Sequence, residues 1–406
     1  MIKLDMIHTL AFAGLVIFLG HFLRIWIPVL AKYSIPSPVI GGLLVAFTIA
    51  FFKTGDELPI QFDNSLQTPL MIAFFASVGF SASLSLLKVG GKQVLLFFGI
   101  SSLMLVIQNI IGVGLGTVLN VHPLFGLMCS SVTLAGGPAT ALAFAPEFEK
   151  AGMQGASVVG IAAAMLGIIF GGVIGSPIAT LLIRRDALDK KIGLSNSDKN
   201  NLPVSVIEGN KSLSKSIEEE SGFSLLKCIV AILLVMWVGS WLSNAIATSG
   251  ATLPAYIGTM IIASIVRNLD DRFQWFRLSN KVIDDLGNAA LSIFLTVALM
   301  TLKVWEIKTL ALPMILIILI QTIAVGLVSY TVIYRMMGLD YDAATMSAGF
   351  SGFMLGTSAN AMANMKSITD RYGAASRAFL VVPIVAAFLI DFTNAVFITF
   401  CLNLLK

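Results

Sequence analysis

The sequence predicts an all-α polytopic membrane protein built from two inverted five-helix repeats, each with a re-entrant hairpin. Three observations predict this fold. First, the 406 residues are 57% hydrophobic and only 12% charged, whereas about 25% of residues are charged in a soluble domain. Second, ten apolar stretches follow one another along the chain. Third, two Gly-rich segments recur at matching places in the two halves. This composition excludes a water-soluble globule, and a net charge of +4 gives no indication of nucleic-acid binding.

The apolar stretches define the membrane-spanning helices. Eight of them have the roughly 20 residues that are needed to cross about 30 Å of hydrocarbon. They lie at 6–27, 68–87, 93–119, 154–183, 223–248, 284–302, 309–336 and 374–402. Two shorter stretches, 36–52 and 253–266, are introduced by prolines. We therefore expect ten crossings, five in each half.

Two further segments, 123–146 and 341–366, mix small apolar residues with Gly, Ser, Thr and Asn. Unwound backbone is tolerated in hydrocarbon only where it is buried in protein or lines a wet cavity. We interpret both segments as re-entrant hairpins whose tips meet near the middle of the bilayer. Helix N-termini there would favour an anion, and free carbonyls would hold a cation. For glycines elsewhere, such as Gly112, Gly167 and Gly171, we favour simple close packing of helices.

A polar linker over 184–222 divides the chain into a first repeat, 1–183, and a second repeat, 223–406. The linker contains 14 of the 48 charged residues. The segment 136–143 aligns with 356–363, sharing a glycine and three alternating alanines. Similar matches occur in the same order elsewhere, which indicates an internal repeat.

The distribution of basic residues predicts the orientation of the chain. With ten crossings and the N-terminus outside, 20 of the 26 Lys and Arg residues fall on the inner side. The positive-inside rule therefore places both termini outside and the 184–222 loop in the cytoplasm. Because each half has an odd number of crossings, the second half enters the membrane in the opposite sense to the first.

Polar residues inside the spans are the candidates for binding, because ionisable groups are costly in a bilayer. Asp391 stands alone near the middle of the last span. It is either protonated, or ionised beside a bound cation, or hydrogen-bonded to a hairpin, and we favour the last two roles. Asn394 follows three residues later on the same helical face. Gln108 and Gln321 occupy equivalent spans, where amides often only bridge helices.

Motifs of enzymatic chemistry are absent from the sequence. It contains no Walker A loop, no His-Glu-x-x-His and no Gly-x-Ser-x-Gly. Neither a transport ATPase nor an intramembrane hydrolase is therefore indicated, and we predict a protein that is not an enzyme.

Several stretches resemble one known family over nearly the whole chain outside the 184–222 loop. These are 69–79, Gln108-Asn109-Ile110-Ile111-Gly112, 291–313, 335–344 and the run from Ala363-Asn364-Met365 through Arg371-Tyr372-Gly373 to Asp391. They closely resemble the bacterial sodium/glutamate symporter family. The resemblance implies a homodimeric secondary transporter of the bacterial inner membrane that moves L-glutamate with Na⁺ by an elevator-type mechanism. Na⁺ is then the coupling ion, and no other cofactor is expected.

Carried over to this chain, the Gly-rich signature of the family falls on Gly136 and Gly137 in the first hairpin and on Gly349, Gly352 and Gly356 in the second. The polar residues of the hairpins and of the spans complete the predicted site. The predicted substrate-binding residues are Gly136, Gly137, Thr140, Ser351, Gly352, Thr357, Ser358, Asn360 and Asn364. The predicted ion-binding residues are Asp391, Asn394, Gln108, Gln321 and Thr133.

The chain departs from the family pattern at Pro138, Ala139 and Phe350. In the first signature the family usually has a His and a Gly before the Thr, and in the second it has a His where Phe350 stands. Another amino acid or small carboxylate is therefore an alternative to glutamate. Proton coupling through Asp391 is an alternative to Na⁺ coupling, and a passive channel is the alternative from another class.

Overall fold

The structure, a computed structural model, describes residues 2–33, 35–53, 60–188, 217–247, 254–303 and 311–405. Within these residues the chain is almost entirely helical, and the one sheet is a parallel pair of two-residue strands, β1 (Ile2–Lys3) and β2 (Ile60–Gln61). Several helices are long and apolar enough to cross a membrane. The prediction of an all-α polytopic membrane protein is confirmed. Most of the predicted linker, 189–216, lies outside the described residues.

The described part of the first half contains eight helices. They are α1 (Met6–Trp26), α2 (Pro28–Lys32), α3 (Ser37–Phe52), α4 (Gln67–Phe80), α5 (Leu84–Val118), α6 (Pro123–Val132), α7 (Gly137–Lys150) and α8 (Ala156–Arg185). Two of them are irregular: α5 bends at Gly91, where φ is +59°, and α6 ends in a π turn over Met128–Val132. Asp5 caps α1, since its carboxylate accepts a 2.9 Å hydrogen bond from the backbone N–H of His8. That bond lowers the pKa of Asp5.

The described part of the second half also contains eight helices. They are α9 (Ile217–Ala247), α10 (Ala255–Phe273), α11 (Asn280–Met300), α12 (Ala311–Met336), α13 (Tyr341–Met354), α14 (Ser358–Tyr372), α15 (Ser376–Ile384) and α16 (Ile390–Leu405). A π turn over Ser329–Ile333 interrupts α12, and another over Val385–Leu389 joins α15 to α16. In both halves a helix starts directly after a proline: α3 follows Pro36, and α10 follows Pro254.

The helices lie where the apolar stretches predict them. Six helices, α1, α5, α8, α9, α11 and α12, are long and apolar enough to span a bilayer. Four others among the described residues, α3, α4, α6 and α16, are apolar but shorter. Both predicted hairpin segments are helical on either side of a break, and their second arms run four and six residues beyond the predicted ends, to Lys150 and Tyr372.

Six helices pack into one group, which we call the frame: α1, α3, α4, α9, α10 and α11. Within the frame, α4 packs against α10 and α11, α3 packs against α1 and α11, and α9 packs against α10. Its interior includes the buried side chains of Phe80, Cys228 and Ile232. The frame therefore draws three helices from each half of the chain.

The remaining long elements, α5–α8 and α12–α16, form a second group, which we call the hairpin group. In this group α8 packs against α7, α13 and α14, and α5 packs against α6, α15 and α16. The largest buried apolar cluster of the described residues lies mostly here. The frame meets the hairpin group through rings: Tyr256 of α10 stacks on Phe75 at a centroid distance of 3.9 Å and meets the edge of Phe144 of α7 at 5.8 Å.

Glycines allow the closest helix contacts within the frame. A Cβ on Gly41 of α3 would overlap the carbonyl oxygen of Val16 on α1. The same arrangement occurs between α9 and α10, where Gly239 lies against Thr259. Outside the frame, a Cβ on Gly167 would lie 2.5 Å from the carbonyl oxygen of Leu355. These positions serve close packing, as membrane helix interfaces with small residues do.

The contact between α1 and α3 yields a stability prediction. We expect Gly41→Ala to destabilise the protein by about 1–3 kcal/mol, because the added methyl must push α1 away from α3. The measurement is the thermal unfolding midpoint of the purified protein in detergent. Gly14→Ala on α1 is the matched control, since a Cβ added at Gly14 would have no atom within 4 Å. Equal midpoints for the two variants would contradict the packing role.

Candidate functional site

The two helix breaks of the hairpin group meet each other. The first lies between the end of α6 at Val132 and the start of α7 at Gly137, and the second lies between Met354 and Ser358. A Cβ on Gly137 would be 3.4 Å from Cγ2 of Thr357 and 3.7 Å from the carbonyl oxygen of Gly356. Gly137 also has φ of +65°, a left-handed conformation that favours glycine. The sequence therefore places glycine where the tips touch and the backbone turns.

A cavity of about 690 Å³ lies where the tips face the frame. The hairpin group contributes the two tips together with residues around the α15–α16 turn, and the frame contributes α4 and α11. Its polar and charged lining residues are Ser77, Ser81, Asn280, Asp284, Asn288, Thr357, Ser358 and Asp391. A volume of this size suits a small organic molecule.

The charged groups of the cavity are all acidic. Asp284 and Asp391 line it, and none of its lining residues is a Lys, Arg or His. Oδ1 of Asp284 accepts a 3.1 Å hydrogen bond from Oγ of Ser81. The Asp391 side chain has no hydrogen bond or ion pair with any residue that the structure describes. The cavity therefore presents one carboxylate without a partner from the described part of the protein.

Two helix N-termini start at the cavity. The residue that precedes α7 is Gly136, which has no side chain, and the residue that precedes α14 is Thr357, whose side chain does not cap the helix. Oγ1 of Thr357 donates instead to Oδ1 of Asn360, at 2.9 Å. The first N–H groups of a helix have no partner inside the helix and attract anions. The site thus combines two anion-binding ends with two carboxylates.

Not every predicted substrate-binding residue reaches the cavity. Gly136, Thr357 and Ser358 line it, and Oγ of Ser358 donates to the carbonyl oxygen of Ala386 at 2.8 Å. Gly137 lies at the contact between the tips. Thr140 is buried one turn into α7.

The other four predicted substrate-binding residues lie behind the tip of the second hairpin. Nδ2 of Asn360 donates to the carbonyl oxygen of Ile168, and Nδ2 of Asn364 donates to that of Gly171, both at 2.9 Å on α8. Oγ of Ser351 donates to Oγ of Ser329 at 3.0 Å. Gly352 packs against the backbone of Ala361, which brings the two arms together. These contacts fix the position of the tip.

The predicted ion-binding residues surround the breaks, and three of them link the two halves of the chain. Nε2 of Gln108 donates to the carbonyl oxygen of Met354 at 2.9 Å, and Nε2 of Gln321 donates to that of Gln108 at 2.7 Å. Nδ2 of Asn394 donates to the carbonyl oxygen of Ser131 at 2.9 Å. Oγ1 of Thr133 bonds within its own hairpin, to the carbonyl oxygen of Met128 at 2.8 Å. Asp391 alone of the five lines the cavity.

The three departures from the family pattern lie in two different places. Pro138 and Ala139 line the cavity. Phe350 is fully buried and meets the rings of Phe97 and Phe353 at centroid distances of 6.0 and 5.7 Å. Phe350 is not among the residues that line the cavity, so its effect on the solute would have to be indirect.

The polar residues that the frame contributes were not predicted from the sequence. Ser81 directly follows α4, and Asp284 and Asn288 lie one turn apart on α11. Leu291 and Leu295 of α11 continue the same face into the cavity. The available signal was the one-turn spacing of Asp284 and Asn288 at the start of the predicted span 284–302, and it was missed because polar residues at the end of a span also occur where a helix simply leaves the membrane. No cluster of three or more His, Cys, Asp or Glu that could bind a metal occurs among the described residues.

Comparisons with known proteins agree on one family. A family model described as "Sodium/glutamate symporter" matches residues 2–374. A sodium/glutamate symporter of Escherichia coli (strain K12) is 38% identical over 405 residues, which cover 100% of this chain and 99% of the relative. One from Haemophilus influenzae (strain ATCC 51907 / DSM 11121 / KW20 / Rd) is 38% identical over 389 residues, which cover 96% and 95%. These matches confirm the resemblance that the sequence motifs indicated.

The contact between the tips yields a second prediction. We expect Gly137→Ala to cost about 1–2 kcal/mol, because an L-residue is strained at positive φ, and to weaken solute binding, because relief of that backbone strain shifts the first tip against the second. The measurement is thermal stability together with equilibrium binding of the solute. Gly152→Ala separates the two effects, since Gly152 has φ of +99° and a Cβ there would have no atom within 4 Å. Unchanged binding in Gly137→Ala, with the expected loss of stability, would contradict a role of the tip contact in binding.

Proposed function

The chain belongs to the sodium/glutamate symporter family, and on this premise we propose that it imports L-glutamate together with Na⁺. It is a multi-pass membrane transporter and not an enzyme. The observation that carries the proposal is the cavity between the two tips and the frame, whose charged lining residues are Asp284 and Asp391.

The charge of the cavity explains why uptake of an anion requires a cation. Two unit charges about 4 Å apart interact with about 4 kcal/mol at an effective dielectric constant of about 20. An unaccompanied glutamate carboxylate near an ionised Asp391 would therefore lose on the order of a thousandfold in affinity. A Na⁺ ion beside Asp391 offsets that repulsion. Binding of the ion and of glutamate is then mutually favourable, which is the thermodynamic basis of coupling.

The shape of the site suits an acidic amino acid. We place one carboxylate of glutamate at the N-terminus of α7, near Gly136 and Gly137, and the other at the N-terminus of α14, near Thr357 and Ser358. Helix N-termini are suitable partners because no basic residue lines the cavity. The ammonium group of the substrate then faces Asp284. The remaining predicted residues hold the tips in position for this contact, and they are Thr140, Ser351, Gly352, Asn360 and Asn364.

The two groups of helices suggest how the site changes sides. We propose that the halves form inverted repeats, that both hairpins are re-entrant, and that the hairpin group moves against the frame as an elevator. The position of the cavity, between the groups, supports this. The cavity extends to Ser81 and Asn280, at the ends of α4 and α11. The distribution of basic residues favours a cytoplasmic position for these ends, and we therefore propose that this arrangement is an inward-facing state.

The same premise leads to a proposed membrane location and orientation for the protein. We propose that it lies in the bacterial inner membrane with both termini outside and the 184–222 loop in the cytoplasm, as the distribution of Lys and Arg favours. Reporter fusions to the C-terminus test this orientation.

The frame is the proposed homodimer interface, because a fixed partner there leaves the hairpin group free to move. Cross-linking in native membranes tests the dimer.

The test of function is uptake of labelled L-glutamate into proteoliposomes of the purified protein. We expect accumulation with an inward Na⁺ gradient and none with a proton gradient alone. Uptake that follows the proton gradient without Na⁺ would contradict Na⁺ coupling. Downhill flux without accumulation would indicate a channel. Accumulation of another carboxylate in place of glutamate would assign a different substrate to the cavity.

A substitution at Asp391 tests the ion role within the same assay. We expect Asp391→Asn to raise the Na⁺ concentration for half-maximal uptake by about tenfold or more, because a charged ligand is replaced by a neutral one. Asp370→Asn is the matched control, since Asp370 lies on the second arm of the second hairpin and is not among the residues that line the cavity. Unchanged Na⁺ dependence in Asp391→Asn would remove this carboxylate from the ion site.

Spin labels test the relative movement of the two groups. In a protein whose three cysteines have been replaced, one label is placed at Arg272 in the frame and one at Arg371 in the hairpin group, both exposed positions. We expect this distance distribution to shift when Na⁺ and glutamate are added. The control pair, Lys150 and Arg371, lies within the hairpin group and should keep its distance. If Na⁺ and glutamate changed the distance distributions of both pairs equally, or changed neither, the elevator mechanism would be contradicted.

A further inference from the structure

The loop between α10 and α11 presents aromatic side chains at the surface of the protein. Phe273, Trp275 and Phe276 are 48%, 69% and 56% exposed. The rings of Phe273 and Trp275 stack at a centroid distance of 5.0 Å, and the guanidinium group of Arg272 lies 5.4 Å from the ring centre of Phe273. Because α11 begins at Asn280 and is long and apolar enough to span the bilayer, the loop that precedes it lies at a boundary of the membrane.

The carboxylate of Asp270 holds this loop in one conformation. Oδ1 of Asp270 accepts hydrogen bonds from the backbone N–H groups of Phe276 and Arg277, at 2.8 and 3.1 Å, and Oδ2 accepts one from that of Leu278, at 2.9 Å. Gln274 and Arg277 have φ of +52° and +48°, a left-handed conformation that is uncommon for residues other than glycine. Such a backbone persists only where its surroundings determine it. The loop is therefore a fixed surface, with Leu278 buried in the frame and the rings turned outwards.

The charged residues of the segment 272–281 are all basic and exposed. They are Arg272, Arg277 and Lys281. The two acidic residues before the segment are turned into the protein, since Asp270 accepts from the loop backbone and Asp271 pairs with an arginine of α10 at 2.7 Å. Those after it, Asp284 and Asp285, lie in the second turn of α11. The loop therefore presents positive charge beside its aromatic rings.

Anionic phospholipid is the partner whose chemistry matches this surface. Aromatic rings of membrane proteins are enriched at the level of the lipid headgroups. Basic residues next to a leaflet that contains anionic lipid are attracted to it, and each Lys or Arg strengthens binding by about fivefold. An arginine can also donate two hydrogen bonds to one phosphate group, which requires a defined position of its side chain.

We propose that the segment 272–281 is a binding site for the headgroups of anionic phospholipids, in the leaflet at which α10 ends and α11 begins. The aromatic rings enter the boundary between headgroups and hydrocarbon, and the three basic side chains contact phosphate groups. Nδ2 of Asn268 on α10 donates to the carbonyl oxygen of Ala82, beyond the end of α4, at 2.7 Å, and Asn280 at the start of α11 lines the cavity. Bound lipid thereby holds the frame at a constant depth next to the cavity. This inference goes beyond the proposed transport and holds for any solute that the cavity binds.

Titration of the purified protein in detergent with phosphatidylglycerol or phosphatidylcholine tests the site. The measurement is the thermal unfolding midpoint at each lipid concentration, with KCl as the only salt so that Na⁺ does not contribute. We expect phosphatidylglycerol to raise the midpoint at a concentration about tenfold or more below that of phosphatidylcholine, because a ligand that binds the folded state stabilises it. A higher KCl concentration should reduce this difference, because salt screens charges at the surface.

Replacing the three basic residues together should remove the preference for the anionic lipid. The triple variant combines Arg272→Gln, Arg277→Gln and Lys281→Gln, all at exposed positions. We expect the two lipids to raise its midpoint equally. The matched control makes the same change of charge at exposed positions of the hairpin group, and it combines Lys92→Gln, Lys366→Gln and Arg371→Gln. It should keep the preference for phosphatidylglycerol.

Asp270→Asn separates a fixed site from attraction by charge alone. The substitution makes the protein more positive, which would strengthen a purely electrostatic attraction to phosphatidylglycerol. We expect it to weaken binding by about fivefold instead, because an amide offers one acceptor oxygen in place of the two that hold the loop backbone. Stronger binding in this variant would contradict the role of the loop conformation. If the variant does not fold, the triple variant still decides between lipid binding and its absence.

Two results would overturn the site. One is an unmodified protein whose midpoint responds equally to phosphatidylglycerol and phosphatidylcholine. The other is a triple variant that prefers phosphatidylglycerol as strongly as the matched control does. If that variant in addition loses the dimer cross-links, the surface binds a second copy of the chain and not lipid. None of these results depends on the uptake assay, so the proposed function is tested separately.

Discussion

Two breaks in the backbone lie within an apolar bundle, and the need to satisfy their polar groups shapes the rest of the structure. Hydrocarbon offers no hydrogen bonds, so each exposed carbonyl must find a partner in the protein. Gln108 of the first half donates a hydrogen bond to the carbonyl oxygen of Met354 in the second hairpin. Asn394 of the second half donates one to the carbonyl oxygen of Ser131 in the first hairpin. Asn360 and Asn364 fasten the second hairpin to α8. Each hairpin is thus completed by the other half of the chain, and the halves must assemble together.

The same breaks create the chemistry of the cavity. They bring two helix N-termini, at Gly137 and Ser358, to a space where Asp284 and Asp391 supply negative charge. The helix ends attract an anion, whereas the carboxylates repel it. A bound cation offsets the repulsion by the carboxylates. Such a site binds the anion and the cation together more tightly than it binds either one alone. The tightly packed frame, in contrast, has glycine contacts such as Gly41 against Val16, which suit a part that keeps its shape.

Much of the fold could be predicted from the sequence because hydropathy is a local property. The apolar spans, the two broken segments and the isolated Asp391 all follow from composition and from the order of residues along the chain. The hydrogen bonds between Gln108 and Met354 or Asn394 and Ser131 could not be predicted, because each joins residues more than 240 positions apart. The division into frame and hairpin group was not predicted from residue patterns either, since it depends on which faces pack together. Asp284 and Asn288 were missed because they become part of a site only when α11 faces the tips.

Joint binding of glutamate and a cation in the cavity is the property on which the proposed transport depends. The most direct measurement is equilibrium binding of labelled L-glutamate to the purified protein over a range of Na⁺ concentrations, with K⁺ holding the ionic strength constant. We expect the Kd for glutamate to fall steeply as Na⁺ rises, and glutamate to lower the Kd for Na⁺ by the same factor. A Kd for glutamate that is the same with and without Na⁺ would contradict joint binding.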